Sequence, residues 1–176
     1  MRILALIALL ILSTASTNAQ NMPVRYTTST DSVNSSVVYK GLIGFDDLQK
    51  EPTFNWYKTG TDTYHPKKKH INKLKAALPA YSMVVVMGTW CGDSKDLIPK
   101  LHNVLLAAAY PMANVTVFGV DRAKTSGSGI DKTYSITRVP TIILFDGAKE
   151  IGRITESVDK SMEADLRVII EKYQKK

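Results

Sequence analysis

One short stretch concentrates the chemistry of this 176-residue chain: Trp90-Cys91-Gly92-Asp93-Ser94-Lys95. Cys91 is the only cysteine. It cannot form a disulfide within the chain, so it is a reactive thiol, a link to another molecule, or a small buried hydrophobe. The neighbouring pattern arbitrates. Ser82 to Met87 is a short Val-rich run that reads as a buried strand. Ser94 to Ala109 places Leu97, Ile98, Leu101, Val104, Leu105 and Ala108 on one helical face, with Pro99 set to bend it. Cys91 therefore follows a strand and precedes a helix. The first N–H groups of a helix lack partners and carry partial positive charge, and a thiolate placed there is stabilised. Cys91 reads as a nucleophile. Ser94, in the first turn, is placed to hydrogen-bond its sulfur. Lys95 adds positive field, and Asp93 opposes it where its carboxylate points toward the sulfur.

Other chemistry-bearing residues are scattered. His65, His70 and His102 show neither metal-ligand spacing nor the partners of a cysteine protease, so surface or helix-end positions are expected. No metal and no cofactor is expected. Asp121 and Arg122 end a strand and belong either near Cys91 or to a simple loop ion pair.

The elements that must position Cys91 follow from periodicity. Residues 20–36 are rich in Ser, Thr and Asn without an apolar period, which predicts a flexible leader. Residues 37–64 carry aromatic and apolar residues without a clean period, broken by Gly41, Gly44 and Pro52. They read as an ordered extension packing on the domain. From His65 a helix carries Ile71, Leu74, Lys75 and Leu78 and ends at Pro79. After the helix that follows Cys91 come a strand at Val115 to Val120, a Gly/Ser loop, a short helix at Ile130 to Tyr134 and a strand at Thr141 to Phe145. Asp146-Gly147 signals a hairpin into a strand at Lys149 to Ile154, and Ser161 to Tyr173 closes as an amphipathic helix. The order α-β-α-β-α-β-β-α predicts one α/β domain over residues 65–176, a central mixed sheet with helices on both faces.

Composition narrows the function. The net charge is +7, with the densest cluster at Lys67-Lys68-Lys69-His70. No basic face with interleaved aromatics accompanies it, so a nucleic-acid partner is not expected and the lysines read as a solvated first helical turn. Met1-Arg2, the apolar run Ile3 to Leu12 and small residues through Ala19 form a signal-peptide pattern over residues 1–19, cut after Ala19. The apolar run is about half the roughly twenty residues a spanning helix needs, so no stable membrane insertion is expected after cleavage. An exported compartment, periplasmic or secreted, follows as the expectation.

The order of elements and the Trp90–Lys95 motif resemble the thioredoxin-like superfamily, over about residues 65 to 176. Pro99 stands eight residues after Cys91, as in thioredoxins. The run from Tyr134 to Phe145, through Val139-Pro140-Thr141, resembles the family segment containing a cis-proline. With its apparent export leader and W-C-G-D-S site, the chain is similar to secreted bacterial thioredoxin-like proteins. The resemblance implies that Cys91 is the attacking thiol, that Pro140 is the cis-proline, that the Val139 backbone pairs with bound peptide like an added strand, and that Trp90 flanks the site. Two positions depart from the family. Ser94 replaces the resolving cysteine, and Val85 replaces the buried acid six residues before Cys91. Net dithiol reduction by this chain alone is thereby excluded. What remains is exchange through one thiol, isomerase-like or as reduction of mixed disulfides, with cysteine-containing client proteins or small thiols as partners. The rival is a catalytically inactive peptide- or protein-binding module on the same fold. A Cys91-linked dimer is a third expectation.

Overall fold

The computed structural model describes residues 25–175. The expected signal peptide, residues 1–19, lies outside them. Strands β1 (Tyr26–Thr30) and β2 (Val37–Ile43) come first, then helices α1 (Phe45–Lys50), α2 (Asn55–Thr63) and α3 (Lys68–Ala77). Next are β3 (Ser82–Met87), α4 (Gly92–Ala107), β4 (Val115–Gly119) and α5 (Ile130–Thr133). The chain closes with β5 (Thr141–Asp146), β6 (Lys149–Thr155) and α6 (Met162–Gln174). The sheet order is β1-β2-β4-β3-β5-β6. Only β3 and β4 run parallel; each other neighbouring pair is antiparallel. The fold is α/β with a central mixed sheet, as the periodicity predicts.

Strand alternation sorts the core. Met83, Val85, Met87, Ile142 and Leu144 join the larger cluster, which takes Leu48 of α1, Tyr57 of α2, Leu74 of α3, Ile98 and Leu101 of α4, and Leu166 of α6. Val86 and Ile143, one residue out of step, join a smaller cluster with Val120, Ile136 and Val139. Successive side chains of a strand point to opposite faces, so these are the two sides of the sheet. The second side has little helical cover. Short α5 contributes Ile130, and Trp90 and Cys91 pack there from the loop after β3. The expected helices on both faces are thus unequal, and the thinly covered face holds the cysteine.

One expectation at the N-terminal end is corrected. Within the expected flexible leader, residues 26–30 form β1, paired antiparallel with β2 from Tyr26↔Gly41 to Thr30↔Val37. Residues 27–30 are exposed, so the strand has no buried face and no apolar alternation to show. Its order comes from backbone pairing, to which composition is blind. Residues 37–64 are ordered and pack on the domain, as expected. Gly41, Leu42 and Ile43 of β2 pair with Gly119, Phe118 and Val117, so this segment covers an edge that β4 would otherwise expose.

The first half of β2 runs past the end of β4, and Thr89 completes it. The Thr89 hydroxyl donates to Val37 O at 2.7 Å and accepts the Tyr39 N–H at 3.2 Å. One fully buried side chain thus stands in for a missing strand partner between β2 and the loop that carries Cys91.

Helix α4 runs through Pro99 without a break. The proline ring is buried against α2, where a Cβ on Gly60 would lie 2.6 Å from Pro99 Cβ. Only a residue without a side chain lets the two helices approach this closely. His102, expected at the surface, is half-buried on α4: Tyr57 Oη meets its Nδ1 at 2.8 Å, and Phe45 stacks on it with ring centroids 4.4 Å apart. Burial pushes its pKa below the usual histidine value, against the field of Asp46.

Candidate active site

Cys91 is the N-cap residue of α4, in extended conformation, and its carbonyl accepts the first helical bond from Lys95 N–H at 3.0 Å. A tight turn delivers it there: Cys91 N–H donates to Gly88 O at 2.9 Å. Gly88 is required by the tryptophan next door, since a Cβ there would sit 2.7 Å from the Trp90 ring. The thiol is half-buried and donates to Val139 O at 3.3 Å. Across this contact lies the Val139–Pro140 peptide, which is cis. The loop is tied at both ends: Thr141 Oγ1 donates to Arg138 O at 2.7 Å, and Glu156 N–H donates to Pro140 O at 2.9 Å. The structure therefore brings Cys91, Trp90, Val139 and Pro140 together from two separated segments of chain.

Ser94 takes a different role from the expected one. It is fully buried, and its hydroxyl oxygen accepts the Gly88 N–H at 3.2 Å. No hydrogen bond joins it to the Cys91 sulfur among the described residues. The serine closes the turn that holds Cys91 and does not contact the thiol. Lys95 extends to Ser36 Oγ at 3.1 Å, while Asp93 is exposed in the first turn of α4. Val85, at the position of the family acid, is completely buried among apolar side chains.

Trp90 is pinned on several sides. Its indole N–H donates to Val120 O at 2.9 Å, and the Arg122 guanidinium lies over its ring at 4.7 Å. Arg122 is itself held by Asp31, through Nε to Oδ2 at 2.7 Å and Nη2 to Oδ1 at 2.9 Å. Arg122 thus belongs to the site, whereas Asp121 forms an ion pair with Lys40 at 2.6 Å. The Arg122 bond is the main reason the Asp31 carboxyl is held down to about 2, helped by the Asn34 and Val33 N–H groups and opposed by burial. With its folded value depressed, Asp31 stabilises the fold above the ordinary carboxylate pKa and loses that contribution as pH falls toward 2.

Sequence reasoning missed Asp31, Asn34 and Thr89, and left the placement of Arg122 open between the site and a loop ion pair. One signal was available: Asp31-Ser32-Val33-Asn34-Ser35-Ser36 has the composition of a turn, and Asp31 Oδ1 does accept the Val33 and Asn34 N–H groups. Among the described residues, no group of three or more His, Cys, Asp or Glu side chains is placed to hold a metal ion. No described helix is long and apolar enough to cross a membrane.

A mixed sheet with a cysteine at a helix N-terminus, facing a cis-proline loop, defines a thioredoxin-type α/β domain. The chain belongs to the thioredoxin family, whose model, Thioredoxin, matches residues 64–171. That family is one of thiol–disulfide redox function on thiol-containing substrate proteins, with which a single cysteine is compatible. The chain is 31% identical over 84 residues to the thioredoxin of Chlamydia pneumoniae, covering 48% of this chain and 76% of that one. It is 35% identical over 85 residues to the thioredoxin of Chlamydia trachomatis serovar D, covering 48% and 74%. An HIV epitope-scaffold protein superposes with a TM-score of 0.54 at 13% identity, covering 73% of this chain and 92% of that one. At that identity the likeness concerns the fold alone.

Proposed function

We propose that this protein is exported and performs thiol–disulfide exchange through Cys91 alone. The observation that carries the reading is the placement of the single thiol: at the N-terminus of α4, half-buried, 3.3 Å from Val139 O beside Pro140. The Cys91 thiolate attacks one sulfur of a client disulfide. A new S–S bond joins Cys91 to that sulfur, and the other sulfur leaves as a thiolate. A client segment lying along Val139 would pair with its backbone and displace the resting thiol from Val139 O. Release requires a second thiol. If the client's own cysteine attacks, Cys91 leaves as a thiolate and the client disulfide has been rearranged with no net oxidation or reduction. If a small thiol attacks, it takes the client's place in the mixed disulfide with Cys91 and the client is freed with a reduced cysteine; a further small thiol then regenerates Cys91. The buried serine at position 94 supports this reading, because a hydroxyl cannot resolve the intermediate from within. The signal-peptide pattern of residues 1–19 supports export.

The test is to trap the intermediate. The protein is incubated with a disulfide-bonded peptide, quenched with acid and examined by mass spectrometry. A mixed disulfide on Cys91, absent in Cys91→Ala and discharged by added small thiol, is expected. Ser94→Cys should convert the stable adduct into a transient one, because the introduced thiol can attack Cys91 Sγ and release the client. Absence of any adduct at excess peptide disulfide would sink the exchange reading in favour of a peptide-binding module.

A further inference from the structure

The turn joining β1 to β2, residues 31–36, touches the cysteine loop, yet no step of the exchange reaction uses it. Asn34 Nδ2 donates to Trp90 O at 3.1 Å. Lys95 Nζ donates to Ser36 Oγ at 3.1 Å, one helical turn beyond Cys91. Asp31 grips Arg122, which covers the Trp90 ring. Just past the turn, Thr89 is bonded to Val37 and Tyr39. The turn is braced internally as well. Asp31 N–H donates to Ser36 O at 2.8 Å, and Ser35 N–H donates to Asp31 O at 3.0 Å. The Asp31 side chain is only 4% exposed, so this anchor is not a loose surface pair. The turn is thus bonded to residues on both sequence sides of Cys91, Trp90 and Lys95, while the Val139–Pro140 loop meets the sulfur itself.

We propose that the β1–β2 turn is a second wall of the Cys91 site and selects substrates by shape: an extended chain or a small disulfide enters between the turn and the Val139–Pro140 loop, whereas a folded protein surface is held off. The biological meaning rests on the exchange reading above; the shape filter itself is a property of the thiol's surroundings. Exchange requires the attacked sulfur to reach bonding distance of Sγ, so whatever carries it must fit the gap. An extended segment has a backbone to offer Val139 and little bulk on either side. A broad surface must also clear the rim formed by Ser32, Val33, Asn34 and Ser35, all exposed. Moving that rim aside means breaking the Asp31–Arg122 pair or the Asn34 and Ser36 bonds, so opening is a local unfolding event.

The test uses the full chain, its Asp31→Ala variant and an Asn34→Ala, Ser36→Ala double variant. The double variant removes only partly exposed hydrogen bonds and leaves the buried anchor in place, so it keeps the test alive should Asp31→Ala fail to fold. Two readouts are taken on protein whose circular dichroism matches the parent. The first is the ratio of Cys91 alkylation rates by a small maleimide and by the same maleimide on a bulky polymer. The second is the ratio of mixed-disulfide formation with a small disulfide and with a folded protein bearing a surface disulfide. In the parent the small reagent is strongly preferred. Losing these bonds should raise the open population about tenfold and narrow the alkylation ratio to match. An alkylation ratio unchanged in a folded variant overturns the proposal. A narrowed alkylation ratio with no disulfide reacting at all upholds the shape filter and removes the exchange reading. Exchange with an unchanged ratio does the reverse.

Discussion

Replacing Thr89 with valine keeps the shape of the side chain and deletes its hydroxyl. That hydroxyl satisfies two backbone groups, Val37 O at 2.7 Å and Tyr39 N–H at 3.2 Å, and the residue is fully buried. Each buried backbone group left unpaired costs about 1–3 kcal/mol, so Thr89→Val, which strands two, should destabilise by about 2–6 kcal/mol. Thr89→Ser keeps the hydroxyl and loses one methyl group, a cost of about 1 kcal/mol. The comparison isolates the bridge, since the two variants differ from the parent in opposite halves of the same side chain. The assay is urea unfolding followed by tryptophan fluorescence, with Trp56 and Trp90 as the chain's two reporters. The penalty is a large share of the stability of a domain this size, about 5–15 kcal/mol, and should move the midpoint clearly. If Thr89→Val and Thr89→Ser unfold at the same urea concentration, the hydroxyl does not bridge β2 to the cysteine loop and the argument fails.

Two further expectations concern the helical face. Burial pushes the His102 pKa down in the folded chain, so as pH falls through the unfolded value of about 6.5 the unfolded state takes up a proton more readily than the native state. The melting temperature should therefore drop between about pH 7 and about pH 5, and His102→Gln should flatten that slope; equal slopes in both proteins would refute the assignment. At Gly60, an added Cβ would meet Pro99 Cβ at 2.6 Å. Overpacking of about 1–3 kcal/mol opposes a helix-propensity gain of about 1 kcal/mol, so Gly60→Ala should be neutral to about 2 kcal/mol destabilising; a clear rise in melting temperature would show that α2 and α4 are not in contact there.

The parts of the fold legible in the sequence are those that bury a face. The apolar runs of β3 and β5 and the apolar stripes of α4 and α6 follow from exclusion of side chains from water, which leaves a legible trace. The same logic placed Cys91 between a strand and a helix, with Pro99 inside that helix; the place of Pro140 beside the thiol came only as what the family resemblance implies. β1 left no such trace, because it lies at the sheet edge and is held by its backbone ladder to β2. Ser94 shows the limit on the site side. Its spacing from Cys91 is consistent with a bond to sulfur, but helix geometry places several acceptors and donors within reach, and the Gly88 N–H takes the hydroxyl oxygen.

What the sequence alone determined is therefore chemical and local: one thiol at a helix start, no second thiol to resolve it, and an α/β order of elements around it. What only the tertiary structure decided is which distant residues stand beside that thiol. Val139 is brought to 3.3 Å from the sulfur by antiparallel pairing of β5 with β3. Asp31 and Arg122, far apart in the chain, meet over Trp90 because β2 pairs with β4 and carries the turn to the end of the sheet where Cys91 lies. Strand pairing is a long-range backbone interaction with no side-chain code of its own at an edge, so its consequences for the site appear only once the sheet has closed.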